Sequence, residues 1–236
     1  MTSALFSPLT LRGLTIENRV VVGPMDQYSA IDGSASDWHL MHLGKFAVSG
    51  AGLIITESAA VEERGRITHG CLGLYSDENE AALDRVVRLC KEHGTAKLGV
   101  QLAHSGRKGS TLMPWEGRAA PLRSDQGAWQ TVGCAGQPRA DGWPVPEALD
   151  REGLARVCDA HAKAVERAAR IGFDLVELVM AHGYLLHEFL SPLTNQRNDA
   201  YGGDLAGRMR FPLQVFDAMR AAWPADKPMG VRISAT

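Results

Sequence analysis

A chain of 236 residues is long enough for one large domain with a substantial core. Its 25 basic and 27 acidic residues leave a net charge of −2 with no basic stripe, which argues against a nucleic-acid partner. Apolar runs such as 52–55 are far too short to span a bilayer, and the N-terminus lacks the basic and long apolar regions of an export signal, so a cytoplasmic protein without membrane contact is expected. The four cysteines, Cys71, Cys90, Cys134 and Cys158, are scattered and form no CxxC pair, so neither disulfides nor a metal site is expected.

In chain order, residues 9–17, with Gly13 at their centre, predict a small hairpin. Residues 19–25 read as a first strand closed by Gly23-Pro24, and 37–49 show helical spacing. Residues 52–58 form a second, buried strand. A helix follows over 77–93, with Ala81, Leu83, Val86, Val87 and Leu89 on one side and Gly94 past its end. A third strand over 97–104 leads into an excursion, 105–145, rich in Gly, Pro and Trp; stretches of that length are usually functional. An amphipathic helix over 150–171, a fourth strand over 175–181, a helix over 207–223 and a fifth strand over 229–234 complete the series.

Strict alternation of strands and helices predicts a parallel sheet with helices outside it. A doubly wound open sheet and a closed (β/α)₈ TIM barrel both satisfy that pattern. No GxGxxG follows the first strand, which weakens the dinucleotide-binding open sheet. Polar and reactive residues gather where strands end (Asp26, Ser58, Gln101, His104, His182 and Arg232), and barrels place their chemistry there. The expected fold class is therefore an α/β TIM barrel of which residues 1–236 hold about the first five βα units, as the N-terminal portion of a single domain. The excursion 105–145 would lie over the barrel mouth.

His182 and Tyr184 follow the fourth strand. An imidazole can donate to a carbonyl oxygen, and a phenol two residues on can protonate the neighbouring carbon. The alternative is that His182 caps the strand end and Tyr184 packs. Gln101 lies among Leu, Val and Ala; its carboxamide suits either the polar edge of a bound ring or a bond to a neighbouring strand. Arg232 interrupts Val231 and Ile233, and alternation sends it into the barrel. There it needs an anionic cofactor or a carboxylate such as Glu177 or Asp26. The segment 104–109 mixes cations with glycine and could hold an anionic substrate group or simply be a solvated loop. The run 197–204 predicts a turn and a helix N-cap at or near Asp204.

Taken together, several segments closely resemble the old yellow enzyme family. They are Glu17-Asn18-Arg19, Pro24-Met25, Gln27-Tyr28, Glu63-Arg64-Gly65-Arg66-Ile67 and the run 101–107. His182-Gly183-Tyr184-Leu185, Phe189-Leu190-Ser191-Pro192, the run 195–203, Arg208-Met209-Arg210-Phe211 and Val231-Arg232 follow in family order. Within the family, Lys108-Gly109-Ser110, Trp115-Glu116-Gly117 and the run 231–236 look most like the reductase-like domains of anthraniloyl-CoA and salicylyl-CoA hydroxylases.

The resemblance implies bound FMN, with NADH or NADPH as reductant and an activated alkene as the small-molecule substrate. It places Pro24, Met25 and Asp26 by the flavin's reactive edge, Ser58 and Gln101 on its polar ring, and Arg232 against the charge of the reduced ring. His182 would hold the substrate's oxygen and Tyr184 would deliver the proton. Tyr28, Trp115 and Arg107 would contact substrate, and a homo-oligomer is possible. The sequence departs from the family in two places. Val179 stands where relatives carry a His that shares the substrate's oxygen, and Asp26 stands where many have Cys or Thr. A carboxylate at position 26 disfavours negative charge on the reduced ring. Barrels commonly bind phosphate at their last two strands, so residues 1–236 alone are expected to hold FMN weakly. Two other readings stay open. One is a reductase of an aromatic acyl-CoA, with Arg107, Lys108 and Arg118 as a basic entrance; the other is a flavin-free, catalytically impaired fragment.

Overall fold

The computed structural model describes residues 3–235 and is organised around a five-stranded parallel sheet. Its strands are β3 (Val21–Val22), β4 (Leu53–Ala60), β5 (Lys97–Ala103), β8 (Leu175–Met180) and β9 (Met229–Ile233). They lie side by side in chain order. A doubly wound sheet reverses its order at a switch point; this one never does, and it curls into part of a (β/α)₈ barrel. The helices α1 (Asp37–Ala47), α2 (Asp77–His93), α4 (Arg151–Ile171) and α6 (Leu205–Ala222) fill the crossovers.

Local chemistry fixes these helices. In α2, Ser76 Oγ accepts the Asn79 N–H, Asp77, Glu78 and Glu80 occupy the first turn, and Lys91 and His93 the last; both ends thus complement the helix dipole. In α4, Asp150 accepts the Gly153 N–H at 2.7 Å. Gly172 closes that helix at φ 94°, a conformation that suits a residue without Cβ. Asp204 caps α6 by accepting the Gly207 N–H at 2.8 Å, as the sequence predicts.

The sheet has two unlike faces. Leu98, Val100 and Leu102 of β5 and Val176 and Leu178 of β8 turn outward into the main core with Val157, Val165, Phe173 and Phe211 of the helical layer. Each such fully buried side chain contributes roughly 1.5–3 kcal/mol. The concave face is layered. At its floor, Leu53, Ile55 and Leu175 pack with Ile16, Leu9 and Leu14, the last three supplied by the hairpin β1 (Leu9–Leu11) and β2 (Leu14–Ile16). The hairpin predicted around Gly13 is therefore a plug in the bottom of the curled sheet.

Three features differ from the sequence reading. The first strand shrinks from 19–25 to Val21–Val22, because it pairs on one side only and ends at Gly23-Pro24. The excursion 105–145 is segmented rather than bare. It carries a 3₁₀ turn at Gly106–Lys108, the short helix α3 (Pro114–Gly117) and the two-residue strand β6 (Val132–Gly133), which pairs with β7 (Glu147–Ala148). A six-residue helix, α5 (Leu185–Leu190), follows the fourth strand and was not expected.

Candidate active site

Above the hairpin plug, the concave face turns polar. Ser58 of β4 pairs in register with Gln101 of β5, and Gln101 with Glu177 of β8, so the three side chains form one row. A shift of register between Ile55 and Ser58 re-aims the end of β4 into that row. Gln101 Nε2 donates to Glu177 Oε1 at 2.6 Å. Of the two roles open in the sequence, the carboxamide nitrogen thus takes the bond to a neighbouring strand, while Gln101 stays in the row. Arg232 of β9 pairs in register with Val179 of β8. Neither Glu177 nor Asp26 is its counter-ion, as the sequence reading had allowed. Glu177 is engaged by Gln101, and no carboxylate lies within ion-pair distance of Arg232 among the described residues.

The loop after β3 supplies Pro24, Met25, Asp26 and Tyr28. Met25 is 48% exposed. Burial, and next the charge of Glu57, push the Asp26 carboxyl up to about 6, against the pull of a Ser58 backbone hydrogen bond. Glu57 is itself buried and its Oε2 accepts the Gln27 N–H at 3.1 Å; His39 Nε2 lies 3.0 Å from its Oε1 but out of line for a hydrogen bond. Tyr28 holds a positive φ of 51°. Its ring meets that of Trp115 edge-on at 5.5 Å, and burial followed by Asp26 pushes its phenol up to about 12. The pair thus stands as one wall, with Trp115 itself largely exposed.

His182 and Tyr184 follow the end of β8. His182 sits at φ 61° and Gly183 at φ 73°, a sharp turn off β8. The turn is pinned by His182 N–H donating to Ser234 Oγ at 3.1 Å and Gly183 N–H donating to His187 Nδ1 at 2.8 Å. The two site rings are 6.2 Å apart and nearly perpendicular. Burial, then Arg232 and Lys108, hold the His182 imidazole below its usual pKa, which favours the neutral ring. Burial, then Asp26, push the Tyr184 phenol well above its ordinary range. Tyr184 and Ser58 line the same small cleft with Cys71 and Ser105. Val179 is buried and packs with Ala103, Ala181 and Tyr184 in an apolar cluster. The structure therefore brings together Ser58, Gln101, Val179, His182, Tyr184 and Arg232 on the inner face, with Asp26 within electrostatic reach of Tyr184.

Arg107 lies on the turn after β5 rather than on the strands of the inner face. Its guanidinium donates to the carbonyls of Gln137 and Pro138 at 3.3 and 3.1 Å, tying the turn after β5 to the excursion. Two structural carboxylates escaped the sequence reading. Glu188 of α5, 1% exposed, accepts the Arg107 N–H at 2.9 Å and the Cys134 N–H at 3.0 Å. Burial pushes it up to about 7 despite those bonds. Glu62 receives His104 Nε2 at 2.9 Å; burial raises it, but His104 and Arg64 outweigh that and hold it at about 2. The only signal for Glu188 was a carboxylate inside an apolar run.

The sequence model of the NADH:flavin oxidoreductase / NADH oxidase family matches residues 4–236. The chain is 41% identical over its whole length to an NADH:flavin oxidoreductase of Gibberella zeae, of which it covers 57%. It is 40% identical, again over its whole length, to an NADPH dehydrogenase of a Geobacillus species, of which it covers 64%. Among solved structures, morphinone reductase in complex with tetrahydroNAD superposes with a TM-score of 0.84 at 29% identity, over 98% of this chain and 64% of that one. The chain thus spans less than two thirds of the length of these relatives.

Proposed function

Because the chain belongs to the NADH:flavin oxidoreductase / NADH oxidase family, we propose that it forms the FMN-binding inner face of an NAD(P)H-dependent reductase of activated carbon–carbon double bonds. The observation that carries this reading is the unpaired Arg232 guanidinium beside the Ser58–Gln101–Glu177 row, under His182 and Tyr184. Those residues fit the polar edge of a flavin. Ser58 and Gln101 offer hydrogen bonds, and Arg232 offers the positive charge that a reduced, anionic ring would complete. FMN, when bound, supplies hydride transfer, taking it from NADH or NADPH and giving it to the alkene.

The chain's own residues do the rest. Neutral His182 donates a hydrogen bond to the oxygen that withdraws electrons from the alkene, and this bond strengthens as charge develops there. Tyr184 carries its proton at neutral pH, as an ordinary phenol does, with burial and Asp26 raising its pKa further, and delivers it to the carbon next to that oxygen. Tyr28 and Trp115, in edge-on contact with each other, offer an aromatic surface to the substrate. For the acyl-CoA reading, Arg107 commits Nη1 to the carbonyls of Gln137 and Pro138, while its Nε stays without a partner among the described residues. Anaerobic titration of the purified, FMN-loaded protein tests the proposal. Bleaching of the flavin band by NADH or NADPH, and its return on adding cyclohexenone, is expected. A flavin that NAD(P)H cannot bleach would refute it.

A further inference from the structure

Lys108 closes the 3₁₀ turn after β5, and that turn is firmly seated. Arg107 N–H donates to Glu188, Lys108 N–H donates to Ser105 O at 3.2 Å, and Leu185 N–H donates to His104 O at 3.1 Å. Gly106 holds φ +60°, and a Cβ there would lie 2.0 Å from Glu188 Oε1. The backbone that carries Lys108 is thus pressed directly onto the buried carboxylate of α5.

From that anchor the ammonium reaches the two residues at the centre of the site. Nζ donates to His182 O at 2.8 Å and stands 4.5 Å from the centroid of the Tyr184 ring. An ammonium has three N–H donors. Among the described residues, the His182 carbonyl takes one and no carboxylate lies within ion-pair distance of Nζ. The charges around it are mostly of its own sign. Burial first, then Arg139 and Arg107, hold the Lys108 amine below its usual pKa, with Glu188 acting the other way. A partly desolvated cation with spare donors and cationic neighbours is stabilised by a ligand anion. On its other side the Tyr184 ring packs against an apolar cluster, where Val179 joins Ala103 and Ala181. The site therefore presents one hydrocarbon wall and one cationic wall, with the phenol between them.

We propose that Lys108 is a specificity-determining residue that makes this site select cyclic or branched alkenes bearing a free carboxylate over neutral analogues of the same shape. The carboxylate is taken by the Lys108 ammonium and His182, while the hydrocarbon lies against Val179. The assignment rests on the reading of His182 and Tyr184 as the substrate site given under Proposed function.

Calorimetric binding of cyclohexene-1-carboxylate and of cyclohexene-1-carboxamide to the FMN-loaded protein tests it. The wild type is expected to prefer the acid by about tenfold or more, the effect of one charge-assisted hydrogen bond. That preference should shrink as salt is raised. Lys108→Met should abolish it and Lys108→Arg should retain it. Equal affinities for acid and amide in the wild type would overturn the assignment, and so would a preference that survives in Lys108→Met. If Lys108→Met fails to fold, the salt dependence and Lys108→Arg decide by the same criteria. Binding preference is read by heat and flavin chemistry by absorbance. An acid preference without flavin reduction supports Lys108 while counting against the reductase, and the converse separates them the other way.

Discussion

His161 lies wholly inside α4, at 0% exposure. Its Nδ1 is paired with Val157 O at 2.8 Å, and its Nε2 has no partner among the described residues. Burial pushes the imidazole down to about 4. The unfolded chain protonates near pH 6.5, so the folded state resists protonation in the interval between. The stability this contributes is fully present above about pH 6.5 and is lost as pH falls toward about 4. Between pH 7 and pH 5 the loss is about 2 kcal/mol, which for a chain of this size lowers Tm by about 4–8 °C. Replacing His161 by Leu, a side chain of similar volume, removes the titration. At pH 7 the variant loses a hydrogen bond worth about 1 kcal/mol and relieves an unpaired nitrogen costing about 1–3 kcal/mol, so it should match or exceed the wild type. Melting curves of both proteins at pH 7 and pH 5 supply the assay. The other titrating groups are common to both and cancel. The Tm difference should widen in favour of the leucine variant by about 4–8 °C at the lower pH. Parallel profiles would refute the reasoning, since they would mean that His161 gains its proton in the folded state as readily as in the unfolded one.

Three further outcomes are expected. Val179→His adds a second donor beside His182 and should speed flavin reoxidation by cyclohexenone about tenfold or more, read by stopped flow; an unchanged rate would mean that the substrate's oxygen does not lie near this strand. Arg232→Ala should lower the reduction potential of bound FMN, measured by dye equilibration, because the cation opposite the reduced ring is gone. Asp204→Ala removes the α6 cap that accepts Gly207 N–H and should cost about 1 kcal/mol in urea unfolding, with no change in flavin potential.

The parts of the fold legible in the sequence are those fixed by short-range chemistry. Helix α2 runs over Asp77–His93, the predicted bounds, because Ser76 and Gly94 mark its ends locally. Helix α5 was not foreseen, since six residues hold too few turns to show a period and its N-cap, Tyr184, makes no side-chain cap bond. The inward direction of Arg232 follows from strand alternation, Gln101 stands out as a carboxamide in an apolar strand, and Val179 is singled out by the family resemblance. The bond from Gln101 to Glu177 and the missing counter-ion of Arg232 are not legible there, because they depend on register between strands. Glu188 was hidden for the same reason: the N–H groups it accepts are 81 and 54 residues away.

The hairpin at the floor of the sheet has a bearing on the order in which the chain assembles. Strands that lie side by side in chain order can dock one after another as they leave the ribosome, each closing a short loop onto its predecessor. The hairpin cannot finish that way. Arg12 Nη1 donates to Ala225 O at 3.1 Å, a span of 213 residues, and Gly13 N–H donates to Asp226 O at 2.7 Å. The first-made segment therefore waits for the loop that precedes β9, and loop-closure entropy places that contact late. Until it forms, the apolar floor of Leu53, Ile55 and Leu175 lacks its tether to the far end of the sheet. Nascent chains halted before residue 225 should accordingly bind more of a hydrophobic dye than otherwise equal chains that include Ala225 and Asp226.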